Sequence, residues 1–311
     1  MSDLATGAGG QQQPEARPRP QRPRELQDAL NHYLYHPLAW QLARLLARTP
    51  LTPNMVSVIG GSCVVAAAVV YAQPGWAQFP SGPALLGMLL HMTWHVVDGA
   101  DGDLARMTGR SSPIGEMVDG LCDYASHIVL YLVLGWLLST SMNPPAWPTA
   151  HPLLWMWAAG LSHIVQSNHV EVQRRQYQWW VYGTSWIRMN HSAESATGKS
   201  VFGGIVSVYL ALATGLTPHA LKIDAAVADS ESDPARREAI RAAVRAEAPP
   251  LLFLCKVLGP NPRAIVLGLS MLAGSPLWYF LYQSLVLNAL LVVSVIAHNR
   301  AAKRIVARIA P

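Results

Sequence analysis

The sequence has few charged residues and few cysteines. Only 13% of its 311 residues are Asp, Glu, Lys or Arg, whereas 51% are apolar. This balance argues against a soluble globular domain and favours a membrane protein. The three cysteines are odd in number and lie in or near apolar segments, which argues against a disulfide framework. Residues 1–24 contain no apolar leader segment and are rich in Gly, Gln, Pro and Arg, so we expect a disordered cytoplasmic tail.

Long apolar runs recur along the rest of the chain. A helix needs about 20 residues to cross a bilayer core, and runs near that length lie at 54–73, 82–105, 117–139, 153–170 and 276–298. A shorter run, 262–273, is separated from the last one by Gly274, Ser275 and Pro276, so the two runs predict a helical hairpin. The sequence therefore predicts an all-α, polytopic membrane helix bundle with about six transmembrane helices. Counting the marginal run 201–216 as a full span would give seven.

The basic residues lie at the ends of the apolar runs and do not gather on one polar domain. The connections 74–81 and 141–152 contain no Lys or Arg, whereas Arg106 and Arg110 lie between the second and third runs and Arg174 and Arg175 follow the fourth. The positive-inside rule then places the amino terminus, the 106–113 turn, the region after residue 174 and the carboxyl terminus in the cytoplasm. An even number of spans follows, which favours six. We expect a multi-pass cell (inner) membrane protein, and no nucleic-acid partner, because such a partner needs a basic stripe on a soluble face.

Two segments lie outside the predicted spans. In residues 25–48, Leu38, Leu42 and Leu45 share a helical face, which is typical of a helix in the membrane interface, although an ordinary cap on the bundle fits equally well. Residues 217–260 form a charged insert that we expect on the cytoplasmic side. Within it, Asp233 and Pro234 predict the N-cap and first residue of a short amphipathic helix. The whole of 25–311 is predicted to form one membrane domain.

Four aspartates lie in or beside the second and third predicted spans. Asp98 and Asp101 share one helical face, and Asp119 and Asp123 share another. The turn between the two helices can bring these faces together. Carboxylates at membrane depth are costly and need partners, and an all-oxygen cluster is what Mg²⁺ or Mn²⁺ prefers. Because no Cys or His pair at zinc spacing accompanies the cluster, the sequence predicts a hard divalent metal.

The order D-x-x-D-G-x-x-A-R, eight residues, then G-x-x-x-D-x-x-x-D occupies 98–123. It resembles the signature of the CDP-alcohol phosphotransferase family at every fixed position. The resemblance implies that two divalent ions are bound by Asp98, Asp101, Asp119 and Asp123, and that Asp123 is also the general base. It further implies a homodimer and contacts to the CDP-alcohol. The contacts would come from Asn54, Met55, Val56, Ser57, Gly102, Arg106, Ser112 and Gly115.

The reaction implied by the resemblance is metal-dependent transfer of a phosphatidyl group from a CDP-alcohol, with CDP-diacylglycerol preferred, to a small polar alcohol. CMP would be released, in phospholipid biosynthesis, at a site facing the cytoplasm. Arg174, Arg175 and Arg188 are weaker candidates for binding an acceptor, since positive-inside topology explains them as well. An alternative is transfer of a phospho-headgroup from a soluble CDP-alcohol to a lipid hydroxyl. A divalent-cation transporter would explain the aspartates, but not the fixed Gly, Ala and Arg positions.

Overall fold

The computed structural model describes residues 22–78, 81–141, 151–184 and 215–310, and contains helices and no strand within them. The predicted all-α class is confirmed. After a π-helical turn at Asn31–Tyr35, we number the helices in chain order. They are α1 His36–Leu46, α2 Pro53–Tyr71, α3 Gly82–Thr108, α4 Pro113–Ser141, α5 Pro152–Tyr182, α6 Ala220–Asp229, α7 Pro234–Val257, α8 Pro260–Leu272, α9 Leu277–Leu281 and α10 Leu287–Ile309.

Several described helices have the length and composition of membrane spans. Four stretches qualify on both counts: Pro53–Tyr71, Gly115–Thr140, Pro234–Leu272 and Leu277–Ile309. Helices α3 and α5, with 27 and 31 residues, are long enough but carry more polar and charged side chains. The polytopic membrane bundle is confirmed, and a helix lies at each of the five long predicted runs. Of the marginal run 201–216, residues 201–214 lie outside the described residues.

The charged insert differs from the prediction in the length of its helix. Asp233 does cap α7, because its side chain accepts a hydrogen bond from the Arg236 backbone N–H, and Pro234 is the first helical residue. The helix is not short, however. It runs for 24 residues to Val257, and its second half buries Leu252 and Cys255. Packing of this apolar half extends the helix beyond the charged part, through Pro249 and Pro250.

Helix α2 packs closely against both helices that carry the aspartates. The Thr52 hydroxyl caps α2 by accepting a hydrogen bond from Met55 N at 3.3 Å. A Cβ built at Gly60 would lie 3.5 Å from Val97 on α3, and one at Gly61 would lie 3.3 Å from the Cys122 carbonyl oxygen on α4. Two adjacent glycines therefore let α3 and α4 both approach α2 closely.

The predicted hairpin at 262–298 is present. Helix α8 ends at Leu272, and Gly274 has a φ of 78°, a left-handed conformation that suits glycine and turns the chain towards α9. Buried Leu267 and Met271 from α8 and Phe280 from α9 join the main apolar core, with Tyr71 of α2 and Leu134 of α4. The hairpin thereby closes the bundle against the site helices.

Residues 22–35, the amino-terminal segment, lie across the ends of several helices. Glu25 accepts hydrogen bonds from the Tyr177 hydroxyl at 3.3 Å and from the Tyr182 hydroxyl, both on α5. Burial acts to raise the pKa of the Glu25 carboxyl, but these hydrogen bonds outweigh it and lower that pKa. Asp28 accepts from Asn261 Nδ2 on α8 at 2.8 Å. The predicted 25–48 helix is helical from the π turn to Leu46, and its interfacial position remains a prediction. The predicted tail lies almost entirely outside the described residues.

Candidate metal centre and substrate cavity

The α3–α4 hairpin brings the four aspartates together. One carboxylate oxygen from each of Asp98, Asp119 and Asp123 lies within 4.8 Å of the others. Asp101 adds a fourth carboxylate, which lies close enough to that of Asp119 for the two like charges to act on each other. The two faces predicted to converge therefore do so. Their roles as metal ligands and base stay predictions.

Neutral donors hold two of these carboxylates in place. Ser57 Oγ donates to Asp101 Oδ2 at 2.6 Å, and Trp94 Nε1 donates to Asp123 Oδ1 at 2.9 Å. Four carboxylates this close together repel one another unless cations or protons intervene. Because every candidate ligand is oxygen, the donor set fits Mg²⁺ or Mn²⁺ better than zinc. Sequence reasoning missed Trp94, which lies one turn before Asp98 on α3.

Six of the eight residues expected to contact the CDP-alcohol lie where α2 and α4 begin, and the other two, Gly102 and Arg106, lie on α3. Ser112 Oγ accepts a hydrogen bond from Gly115 N at 3.0 Å. A Cβ on Gly115 would lie 3.2 Å from that hydroxyl and 3.6 Å from Asn54 Oδ1. The Met55 side chain is exposed, whereas Val56 is packed in an apolar cluster with Ala100 and Leu104 of α3. Val56 therefore offers a ligand only its backbone.

Arg106 belongs to a small ionic cluster beside the aspartates. Asp103 Oδ1 accepts hydrogen bonds from Arg106 Nη2 at 2.5 Å and from Arg22 Nη2 at 2.7 Å. A Cβ built at Gly102 would lie 3.4 Å from Arg106 Nη2. The guanidinium group thus folds back over Gly102. The sequence pattern located Arg106 but gave no role to Asp103 or Arg22.

A cavity of about 700 Å³ adjoins the aspartate cluster. Asp98, Asp119 and Asp123 line it, together with Arg174 and Arg175 from α5, so two of the three predicted acceptor residues share a cavity with the predicted metal ligands. The third, Arg188, lies outside the described residues. Such a cavity is large enough for a small organic molecule.

Arg263 of α8 is a further cation in the cavity that sequence reasoning missed. It is 4% exposed, and its Nη1 donates to Ser167 Oγ at 2.7 Å. Its Nε has no hydrogen-bond partner among the described residues, and no ion pair joins Arg263 to a described carboxylate. A buried cation without a counter-charge suits an anionic ligand. Only tertiary packing brings this residue to the cavity, so its sequence neighbours gave no signal.

The cavity also reaches the apolar outside of the bundle. Five apolar side chains line it and are exposed at the protein surface, and we call this set the lateral opening. In a membrane these side chains would face lipid. The lateral opening consists of Ile128 and Leu132 of α4 and of Trp157, Leu161 and Ile164 of α5.

The fold and the site together describe a polytopic membrane protein with a carboxylate cluster at a cavity that also contains arginines. Residues 50–219 match the family model described as CDP-alcohol phosphatidyltransferase. This match covers more than half of the chain and includes all four aspartates. The chain belongs to the CDP-alcohol phosphatidyltransferase family, as the signature at 98–123 predicted.

Several characterised relatives are similar to part of the chain. The phosphatidylinositol phosphate synthase of Mycobacterium tuberculosis (strain ATCC 25618 / H37Rv) is 30% identical over 102 residues, which cover 33% of this chain and 44% of the relative. The enzyme of the same name from Corynebacterium glutamicum is 24% identical, covering 41% of this chain and 55% of the relative. Cholinephosphotransferase 1 of Gallus gallus is 33% identical, covering 33% of this chain and 32% of the relative. The chain thus matches about a third to a half of each relative's length.

Proposed function

We propose that this chain transfers a substituted phosphate group from a CDP-alcohol to the hydroxyl of an acceptor and releases CMP. The observation that carries the proposal is the convergence of three signature aspartates, with the fourth, Asp101, interacting with Asp119, beside a cavity that also contains cationic side chains. Two divalent ions, Mg²⁺ or Mn²⁺, held by Asp98, Asp101, Asp119 and Asp123, would neutralise charge on the diphosphate oxygens.

In this proposal the protein side chains position both substrates and remove one proton. Asp123, oriented by the Trp94 indole N–H, takes the proton from the acceptor hydroxyl. The hydroxyl oxygen then bonds to the phosphorus that carries the alcohol group, and the bond from that phosphorus to the CMP oxygen breaks. The CDP group would be held by the 54–57 backbone, by Ser112 and Gly115, and by Gly102 with Arg106.

We propose CDP-diacylglycerol as the donor and a small alcohol carrying an anionic group as the acceptor. The lateral opening supports a lipid donor, because acyl chains could stay in the bilayer while the head group reaches the aspartates. Arg174, Arg175 and Arg263 support an anionic acceptor, because guanidinium groups bind phosphate and carboxylate well. Two of the relatives are named phosphatidylinositol phosphate synthases, which agrees with a phosphate-bearing acceptor.

We further propose that the site faces the cytoplasm of the cell (inner) membrane. The basic residues at the ends of the apolar runs support this orientation. A cytoplasmic site would meet both the lipid donor in the bilayer and a water-soluble acceptor. A homodimer remains a proposal based on family membership.

The test is to purify the protein in detergent and to measure CMP release with Mg²⁺ or Mn²⁺ across a matrix of CDP-alcohols and acceptors. CMP release from CDP-diacylglycerol with a phosphate-bearing polyol, lost on chelation of the metal, is the expected result. CMP release only from CDP-choline or CDP-ethanolamine with diacylglycerol would reverse the lipid assignment, towards the reaction that the name of the Gallus gallus relative describes. Metal flux into liposomes without CMP release would establish the transporter alternative instead.

A further inference from the structure

The ionic cluster of Arg22, Asp103 and Arg106 has a geometry that the proposed chemistry does not by itself require. The Asp103 side chain is 3% exposed and accepts from both arginines through the same oxygen, Oδ1. A buried carboxylate is costly unless it is paired. Two cations at one oxygen thus compensate its burial and fix the position of both guanidinium groups.

The cluster keeps Arg106 available to a ligand. The Arg106 side chain is 48% exposed, although its Nη2 donates a hydrogen bond to Asp103. A long side chain that is already fixed loses less conformational entropy when a ligand binds. The direction is also set, because the guanidinium lies over Gly102, which is itself among the residues expected to contact the CDP-alcohol.

Arg22 offsets the negative charge that Asp103 brings to the cluster. Asp103 alone would cancel the charge of Arg106 and so weaken its attraction for phosphate. With Arg22 added, the cluster has two positive charges and one negative charge and remains cationic. Arg22 belongs to the amino-terminal segment, which Glu25 and Asp28 fasten to α5 and α8. The segment therefore completes a cationic cluster whose other members belong to α3.

We propose that Asp103 and Arg22 are positioning residues for the diphosphate of the CDP-alcohol. Asp103 holds the Arg106 guanidinium over Gly102, and Arg22 keeps the cluster cationic. This inference rests on the proposed function, because it assigns Arg106 to the donor's diphosphate. It goes beyond that function by giving a role to a residue between the fixed positions of the signature and to the amino-terminal segment.

The test measures binding of CDP to the full chain in detergent micelles with Mg²⁺, by isothermal titration calorimetry. Since CDP is the part common to all CDP-alcohols, the probe needs no knowledge of the lipid or acceptor. Asp103→Asn is expected to weaken CDP binding about tenfold, the usual loss for a hydrogen bond to a charged group. Arg22→Ala is expected to weaken it about threefold, and Arg22→Lys less, because lysine keeps the charge.

A double-mutant cycle separates positioning from general stability. In an Arg106→Ala background, Asp103→Asn should cause no further loss of CDP affinity, because the group that it positions is absent. In turnover assays Asp103→Asn should raise the KM for the CDP-alcohol with a smaller change in kcat. The matched control is Glu247→Gln, since Glu247 also accepts from two arginines, Arg304 and Arg308, and CDP affinity should be unchanged.

The outcomes discriminate the inference from the proposed function. CDP affinity of Asp103→Asn equal to that of the parent, or an equal loss with and without Arg106, would overturn the positioning role while leaving the transferase proposal standing. If Asp103→Asn does not fold, the comparison of Arg22→Ala with Arg22→Lys decides, and equal, parental affinity in both overturns the inference. A parent chain that binds no CDP and releases no CMP would overturn both proposals.

Discussion

Two of the aspartates at the site receive a hydrogen bond from a neutral side chain. Trp94 donates to Asp123 and Ser57 donates to Asp101. A neutral donor fixes the direction of a carboxylate without cancelling its negative charge, so the charge stays available to a cation or a proton. In each pair, the neutral donor therefore sets the orientation of the carboxylate, and the carboxylate supplies the charge.

We predict that Asp123→Asn abolishes CMP release but leaves Mn²⁺ binding largely intact. Asparagine keeps one oxygen for a metal but cannot accept the acceptor's proton, and loss of a general base typically costs about 10²–10⁴-fold in rate. CMP release and Mn²⁺ titration calorimetry on the same preparation would check this. Asp233→Asn is the control, because Asp233 only caps α7 and asparagine caps equally well. Turnover at the parental rate would remove Asp123 from the base role.

Trp94→Phe should lower kcat about tenfold, because it deletes the N–H that orients Asp123 while keeping an aromatic ring in the core. The KM for the CDP-alcohol should change little, since Trp94 is not among the residues expected to contact it. Steady-state kinetics with the donor varied at saturating acceptor would separate the two parameters. Trp278→Phe provides the comparison, because Trp278 is exposed on α9. Unchanged kcat in Trp94→Phe would show that the hydrogen bond is dispensable.

At the scale of helices, the sequence predicted the elements better than their contacts. The carboxylate hairpin was predictable because i,i+3 and i,i+4 spacing places side chains on one face. The position of Arg263 in the cavity was not predictable, because its contact with Ser167 joins residues 96 positions apart. The contact of Asp103 with two arginines could not be predicted for the same reason, since Arg22 lies 81 positions away. The predicted length of α7 was wrong because the helix continues past its charged half, and burial of its apolar half decides where it ends.

The contact between α2 and α4 gives a prediction at this scale. In Gly61→Leu, the added side chain would meet the Cys122 carbonyl, which lies 3.3 Å from a Cβ at this position, and would separate the two helices. We expect a loss of about 1–3 kcal/mol in stability, and lower CMP release because Asn54 on α2 would move away from Gly115 on α4. Thermal unfolding in detergent and CMP release would check this. Gly82→Leu serves as the control, since a Cβ there meets nothing within 4 Å, and equal melting temperatures would contradict the prediction.

At the scale of the whole molecule, the amino-terminal segment and the helix ends form one polar side of the bundle. Arg22 binds Asp103 on α3, Glu25 binds two tyrosines on α5, and Asp28 binds Asn261 on α8. In the orientation that we propose from the positive-inside rule, this side would face the cytoplasm, because the 106–113 turn belongs to it. Charge distribution alone predicted this orientation, whereas the crossing of the amino-terminal segment over three helices depends on contacts between distant residues.

Cysteine labelling would test that orientation. In a variant whose Cys63, Cys122 and Cys255 are changed to alanine, a membrane-impermeant thiol reagent is applied to right-side-out vesicles. Gln78→Cys, in a connection without basic residues, is expected to react. Ser111→Cys and Lys303→Cys are expected to react only after the membrane is permeabilised. Labelling of Lys303→Cys in sealed vesicles would indicate an odd number of spans, as the seven-span alternative requires.

The lateral opening also has a consequence for how turnover should depend on lipid. Since Ile128, Leu132, Leu161 and Ile164 border both the cavity and the outside of the bundle, a lipid substrate or product could travel within the plane of the bilayer. Only the nucleotide and the second alcohol would then need to pass through water. The turnover rate would then follow the mole fraction of donor lipid in the membrane. Diluting the donor with inert lipid should therefore lower the turnover rate even when the total amount of donor is constant.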